Sequence, residues 1–116
     1  MNPQYKKGVL ELCVLAMLSA RDCYGYEISD RLSQSIDIAD GTVYPLLRKL
    51  KADGLLTTYL QEESGGPPRK YYKLTALGAE SFERDRAEYL RFAAEVQKIL
   101  EAKKDDESRI HGKARA

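Results

Sequence analysis

The spacing of hydrophobic and polar positions changes period along the chain, and each change marks an element. Val9 to Leu18 reads VLELCVLAML, with Glu11 its one polar residue. Leu10, Cys13, Val14, Met17 and Leu18 recur at helical spacing, which predicts a largely buried helix. Arg21-Asp22 break it. A second helix is predicted from near Tyr24, with Tyr24, Ile28 and Leu32 on one stripe and Glu27, Asp30, Arg31 and Gln34 off it. Ser33, Ser35 and Asp37 lower helical propensity and end it there. Asp40-Gly41-Thr42 offers cap chemistry for a third helix running to about Asp53. Val43, Leu46, Leu47 and Leu50 form its apolar face, and Thr42, Pro45, Arg48, Lys49 and Lys51 lie opposite. Proline is tolerated in a first turn, so Pro45 sets the start of this helix just before itself, and Gly54 is its stop.

From Leu55 the period is no longer helical. Leu55 to Leu60 is rich in β-forming residues, Arg69 to Leu74 roughly alternates, and Glu62-Glu63-Ser64-Gly65-Gly66-Pro67-Pro68 between them is a loop. Two strands around a Gly/Pro tip predict a β-hairpin. Leu74-Thr75-Ala76 switches strand to helix, with Thr75 as N-cap. From there to about Lys104 the chain reads as one helix of roughly 28 residues, on the order of 40 Å long. Ala79, Phe82, Arg86, Tyr89, Ala93, Val96 and Leu100 follow a 3-4 spacing along it, flanked by Leu90, Phe92 and Ile99. A body of about 70 residues cannot cover both stripes of so long a helix, which implies a partner. Residues 105–116 lack periodicity and read as a flexible tail.

Composition narrows the function class. The chain has 116 residues, one domain's worth, with 43% apolar and 32% charged residues. Nineteen basic residues face eighteen acidic ones for a net charge of +1, unlike a polybasic tail or an acidic disordered segment. No apolar run approaches the roughly 18 residues of a membrane span, and the stretch after Lys6 and Lys7 lacks signal-peptide form, so a cytoplasmic protein is expected. Cys13 and Cys23 are ten positions apart, and the single histidine, His111, lies in the tail. That spacing suits neither a CxxC pair nor a zinc site, and no nucleophile–base pair or phosphate loop is present; neither metal, cofactor nor enzymatic activity is expected. The cysteines read as small buried hydrophobes, with a redox-sensing thiol at Cys23 as the alternative.

The order helix, helix, turn, helix, hairpin, long helix describes a winged helix-turn-helix, a mainly α (α+β) fold with a C-terminal dimerisation helix. The expected division is residues 1–75 for the DNA-binding domain, 76–104 for the dimerisation helix and 105–116 for the tail. In such a fold the third helix enters the major groove and the wing lies along the backbone or in the minor groove. Between Thr42 and Lys73, six basic residues (Arg48, Lys49, Lys51, Arg69, Lys70, Lys73) outnumber three acidic ones (Asp53, Glu62, Glu63), a local +3. Phosphate neutralisation needs such a footprint, and Lys6 and Lys7 could join it. Arg48 and Lys49 are the best candidates for DNA, Arg48 because its fork can read guanine. Tyr44 suits either a phosphate contact or a half-buried ring, while Tyr24 and Tyr26 read as core and helix packing. Gly25 permits a close helix contact or an unusual dihedral.

Four blocks also resemble a known family: Tyr24-Gly25-Tyr26-Glu27-Ile28, Gly41-Thr42-Val43-Tyr44-Pro45-Leu46-Leu47, Gly54-Leu55-Leu56, and Gly66 to Gly78 (GPPRKYYKLTALG). In order and spacing they are similar to the signatures of PadR-type transcriptional regulators, in the short branch with a single C-terminal helix. The resemblance implies a winged-helix homodimer, usually a repressor, that often answers to phenolic acids or lipophilic drugs. It implies groove contacts for Thr42, Tyr44, Pro45 and Arg48 and wing contacts for Arg69 and Lys70. Two-fold symmetry then calls for double-stranded DNA with an inverted-repeat operator. The dimer interface is expected at Phe82, Tyr89, Ala93, Val96 and Leu100. A small aromatic or lipophilic effector is expected at Arg86, Tyr89, Phe92 and Val96, with Met17 or Cys13 opposite; the chain lacks the tryptophan on which some family members stack ligands. The alternative function is a winged-helix protein-interaction module that does not bind DNA, which the near-zero charge and Glu62-Glu63 at the wing favour.

Overall fold

A computed structural model describes residues 3–39, 41–62 and 65–102. The cap position Asp40, the loop residues Glu63 and Ser64, and the tail with His111 lie outside the described residues. The elements are α1 (Pro3–Ala20), β1 (Cys23–Tyr24), α2 (Gly25–Ser35), α3 (Val43–Ala52), β2 (Leu56–Gln61), β3 (Arg69–Leu74) and α4 (Ala76–Leu100). Three of these differ from the sequence expectation. The first helix starts near Pro3 rather than Val9, so Lys6 and Lys7 stand on its opening turns. The last helix is described to Leu100. A two-residue strand, too short to carry a period, precedes α2. It pairs antiparallel with β3, Cys23 opposite Tyr72 and Tyr24 opposite Tyr71, and completes a sheet of order β1-β3-β2.

The chain divides into two compact units, Met1–Asp85 and Arg86–Ala116. The first unit has one core: Leu10, Val14, Leu15 and Leu18 of α1, Ile28 and Leu32 of α2, Val43, Leu46, Leu47 and Leu50 of α3, with Cys23, Leu56, Tyr72 and Phe82. The apolar faces read from helical spacing in α2 and α3 are the faces buried. Phe82 is a correction: expected in the dimer seam, it is 7% exposed and clusters with this core. A 3-4 spacing continues unbroken through Phe82, so period alone could not tell own core from partner.

The turns that fix the wing come from local chemistry. After α3 the chain forms a Schellman stop: Leu55 N–H donates to Leu50 O at 3.0 Å and Gly54 N–H to Lys51 O at 3.0 Å, with Gly54 at φ +81°. Thr42 precedes α3 without a side-chain capping bond. Thr75 caps α4 as its position predicts, its hydroxyl accepting from Gly78 N–H at 3.0 Å and donating to Gly54 O at 2.6 Å. Gly78 sits directly against the Leu55 carbonyl oxygen, where any Cβ would collide with backbone. The start of α4 is thereby clamped to the turn that ends α3.

The second unit continues α4. Here Leu90, Phe92, Ile99 and Leu100 are each at least half exposed, and Tyr89, Ala93 and Val96 are half-buried.

Candidate nucleic-acid interface

With Val43, Leu46, Leu47 and Leu50 turned inward, helical geometry puts Pro45, Arg48 and Ala52 on the outward line of α3, at i, i+3 and i+7. Tyr44 and Lys51 flank this line on one side and Lys49 on the other. Lys49 is held in ion pairs. Its ammonium lies 3.2 Å from Asp53 and 3.3 Å from Glu11 of α1, and these partners, Asp53 first, raise its pKa above the ordinary lysine range. Lys49 therefore ties α3 to α1, and nothing in the spacing within α3 signals Glu11.

Between α3, the start of α2 and the wing lies a cleft of about 410 Å³ lined by Tyr24, Gly25, Tyr26, Tyr44, Arg48, Arg69, Lys70 and Tyr72. Three cations from two elements, Arg48 of α3 and Arg69 and Lys70 of β3, converge here. Lys70 shares the pleat face of buried Tyr72, so it points to the α3 side of the sheet. Arg69 leaves the opposite pleat face but lays its guanidinium over the Tyr24 ring, 4.5 Å from the centroid. A register row of three tyrosines stiffens this part of the wing. Tyr71 stacks on Tyr59 and meets Tyr24 edge-on, both at 5.6 Å, and Tyr59 O–H donates to Asp22 at 2.7 Å. Asp22 raises the Tyr59 pKa. Tyr72, at the cleft floor, is also raised, chiefly by burial, against an opposing effect of Arg48.

The Tyr44 ring rests on α2 because residue 25 is glycine: a Cβ there would stand 3.0 Å from Tyr44 Cε1. The ring is packed on α2 yet 41% exposed. Tyr26 was expected in helix packing and is instead 67% exposed at the cleft. Its position off the Ile28–Leu32 stripe was the available signal. Glu27 occupies the N3 position of α2, where its carboxylate accepts from Arg21 at 2.5 Å and from the Tyr24 backbone N–H. The Arg21 bond first, helped by the Tyr24 backbone bond, holds its pKa below the ordinary glutamate range against the opposing effect of desolvation. The YGYE block thus combines a close-contact glycine, two cleft tyrosines and a helix-start carboxylate.

Lys6 and Lys7 line a second concavity with Thr42 and Pro45 of α3, which brings the α1 lysines beside the recognition helix. Lys73 stands apart from both clefts, exposed on the outer pleat face opposite Thr57. The effector candidates Arg86, Tyr89, Phe92 and Val96 all belong to the second unit, and Met17 and Cys13 to the first. Cys23 is buried and Cys13 half-buried; burial raises both thiol pKa values, which makes them poor nucleophiles at neutral pH. Among the described residues no group of three or more His, Cys, Asp or Glu side chains could hold a metal ion, and no helix is long and apolar enough to cross a membrane.

Residues 14–84, from α1 through the wing into α4, match the Transcriptional regulator PadR-like family. The chain belongs to that family. A PadR-like transcriptional regulator from Bacillus cereus has a similar structure, with a TM-score of 0.78 and 34% identity over 86% of this chain and 99% of that one. A PadR-like transcription factor from Bacteroides fragilis, 37% identical over 83% of this chain and 94% of its own, superposes with a TM-score of 0.70. Among curated relatives, the transcriptional regulator Rv3488 of Mycobacterium tuberculosis is 29% identical over 94 residues, 80% of this chain and 87% of that protein. The fold is therefore a PadR-like winged helix, and the protein is a transcriptional regulator of that family.

Proposed function

We propose that this PadR-like chain is a homodimeric repressor that binds an inverted-repeat operator in double-stranded DNA. The observation that carries the reading is the convergence of Arg48, Arg69 and Lys70 on one cleft between α3 and the wing, with Tyr44 beside them. Arg48 stands on the outward line of the helix and reads a base edge; Thr42 and Pro45 sit at the groove-entering turn. Arg69, Lys70 and the α1 pair Lys6 and Lys7 neutralise phosphates, and Lys73 adds to the field of the wing.

Residues 1–75 serve DNA binding, and α4 (Ala76–Leu100) serves dimerisation. Tyr89, Ala93, Val96 and Leu100 form the seam between two copies, with Leu90, Phe92 and Ile99 beside it; the exposure of Leu90, Phe92, Ile99 and Leu100 supports the assignment. Two recognition helices then demand half-sites about one helical turn, roughly 34–36 Å, apart. A small aromatic or lipophilic effector at Arg86, Tyr89, Phe92 and Val96 releases DNA by preferring one arrangement of the paired helices. The protein works in the cytoplasm.

The deciding experiment selects genomic fragments on the purified protein and measures affinity for them against salt. An inverted repeat with a steep salt dependence is the expected result. Failure to retain any fragment at low salt, or a shallow dependence, favours the protein-interaction module instead.

A further inference from the structure

On the α1 side of α3 lies the second cleft, also of about 410 Å³. Leu10 of α1, Ile38 and Ala39 of the α2–α3 loop, and Thr42, Pro45 and Leu46 at the start of α3 line it with Lys6 and Lys7. Leu10 and Leu46 are each 3% exposed, so the floor is the edge of the hydrophobic core. Lys6 and Lys7 precede Leu10 by four and three residues and therefore stand over the same face of α1. Lys6 Nζ donates to the Asp37 carbonyl at 3.0 Å, which holds that ammonium beside Ile38.

This lining is selective. Among the described residues, and apart from the Thr42 hydroxyl, every polar side chain in it is a donor without acceptor capacity, and the remaining walls are apolar. A matching ligand has a body free of hydrogen-bonding groups and one anionic, acceptor-only head. The volume falls within the range of pockets that enclose small organic molecules. A DNA phosphate uses the lysines but leaves the apolar walls unanswered. We propose that this cleft binds an amphiphilic carboxylate, its alkyl chain against Leu10, Ile38, Pro45 and Leu46 and its head at Lys6 and Lys7, and that such a ligand competes with DNA for these lysines. The site is separate from the α4 residues and acts by direct competition at the recognition helix. The competition rests on the DNA-binding function proposed above; the binding of the carboxylate does not.

Octanoate is the probe, titrated into the full-length chain without DNA while backbone amide resonances are followed. Saturable shifts are expected at Leu10, Ile38, Thr42 and Leu46, with clearly weaker binding of 1-octanol and of octylammonium. Joint Lys6→Gln and Lys7→Gln substitution should weaken octanoate roughly three- to tenfold, the worth of one or two exposed ion pairs. Ala39→Phe, at an exposed loop position, should fill the cleft and abolish the shifts with the circular dichroism spectrum unchanged. Shifts absent from the cleft residues, centred on α4, or equally strong with octylammonium overturn the site. In a second arm, octanoate should release DNA from the wild type and not from Ala39→Phe. Octanoate bound with DNA affinity unchanged overturns the competition. A wild type that retains no DNA refutes the function proposed above, and the octanoate titration still decides the site.

Discussion

The unit ending at Asp85 and the stretch from Arg86 to Leu100 use the same apolar residue types with opposite outcomes. In the first, Leu, Ile, Val and Phe side chains from α1, α2, α3, the sheet and the start of α4 close one core, with Val14, Ile28, Val43 and Leu47 at 0% exposure. In the second, Phe92, Ile99 and Leu100 are 56%, 74% and 78% exposed. One helix runs through both. The lesson is that apolar periodicity states that a face must be covered, while coverage depends on whether other elements surround it. Phe82 joins a core closed by elements before it; ten residues on, Phe92 lies where a single helix supplies no layer of its own.

Truncation at two points breaks this comparison most directly. A chain ending at Asp85 retains every core residue and should be a folded monomer by sedimentation. A chain ending at Gly78 also loses Phe82, a deletion that costs about 3–5 kcal/mol in a core, and should be unfolded or insoluble. If both truncations behave alike, Phe82 does not divide the two regions. Next in size, Gly78→Ala should lower stability by roughly 1–3 kcal/mol in denaturant titrations, because the added methyl meets the Leu55 backbone and neither helix start nor turn can yield. Gly66→Ala, where a Cβ meets nothing within 4 Å, is the matched control.

The same contrast can be sharpened within α3. Arg48→Ala should weaken operator binding by about 1–3 kcal/mol if it reads a base and leave random DNA less affected. Lys49→Ala should leave DNA binding nearly unchanged and cost stability by about 1 kcal/mol at most, as expected of exposed ion pairs to Glu11 and Asp53. Equal losses of affinity from both would return Lys49 to the interface. The smallest effect is a pH dependence. The Glu27 pKa is depressed by Arg21, so its contribution is complete above the ordinary glutamate value of about 4.3 and disappears as pH falls through the lower folded value. Stability of Glu27→Gln relative to wild type should converge with it in acid and fall behind at neutral pH.

Much of this protein was legible locally. Helical spacing in α2 and α3, the Gly54 stop, the Thr75 cap and the Gly-Gly-Pro-Pro tip act over one turn or one hairpin, and each requires only the residues next to it. The same holds for the cationic excess of the wing and third helix and for Arg48 on the outward line of α3. Tertiary structure decided what depends on residues far apart in the chain. Cys23-Tyr24 becomes a strand because β3 offers an open edge, a pairing that two residues cannot announce. Lys49 pairs with Glu11, 38 positions away. Tyr24, Tyr71 and Tyr59 become one stack only through strand register. Gly78 owes its role to a carbonyl on the preceding turn, and Phe82 to a core closed by elements before it. Propensity and capping are short-range free energies and are written into neighbouring residues; burial and ion pairing are set by whichever side chain the fold brings within a few ångströms.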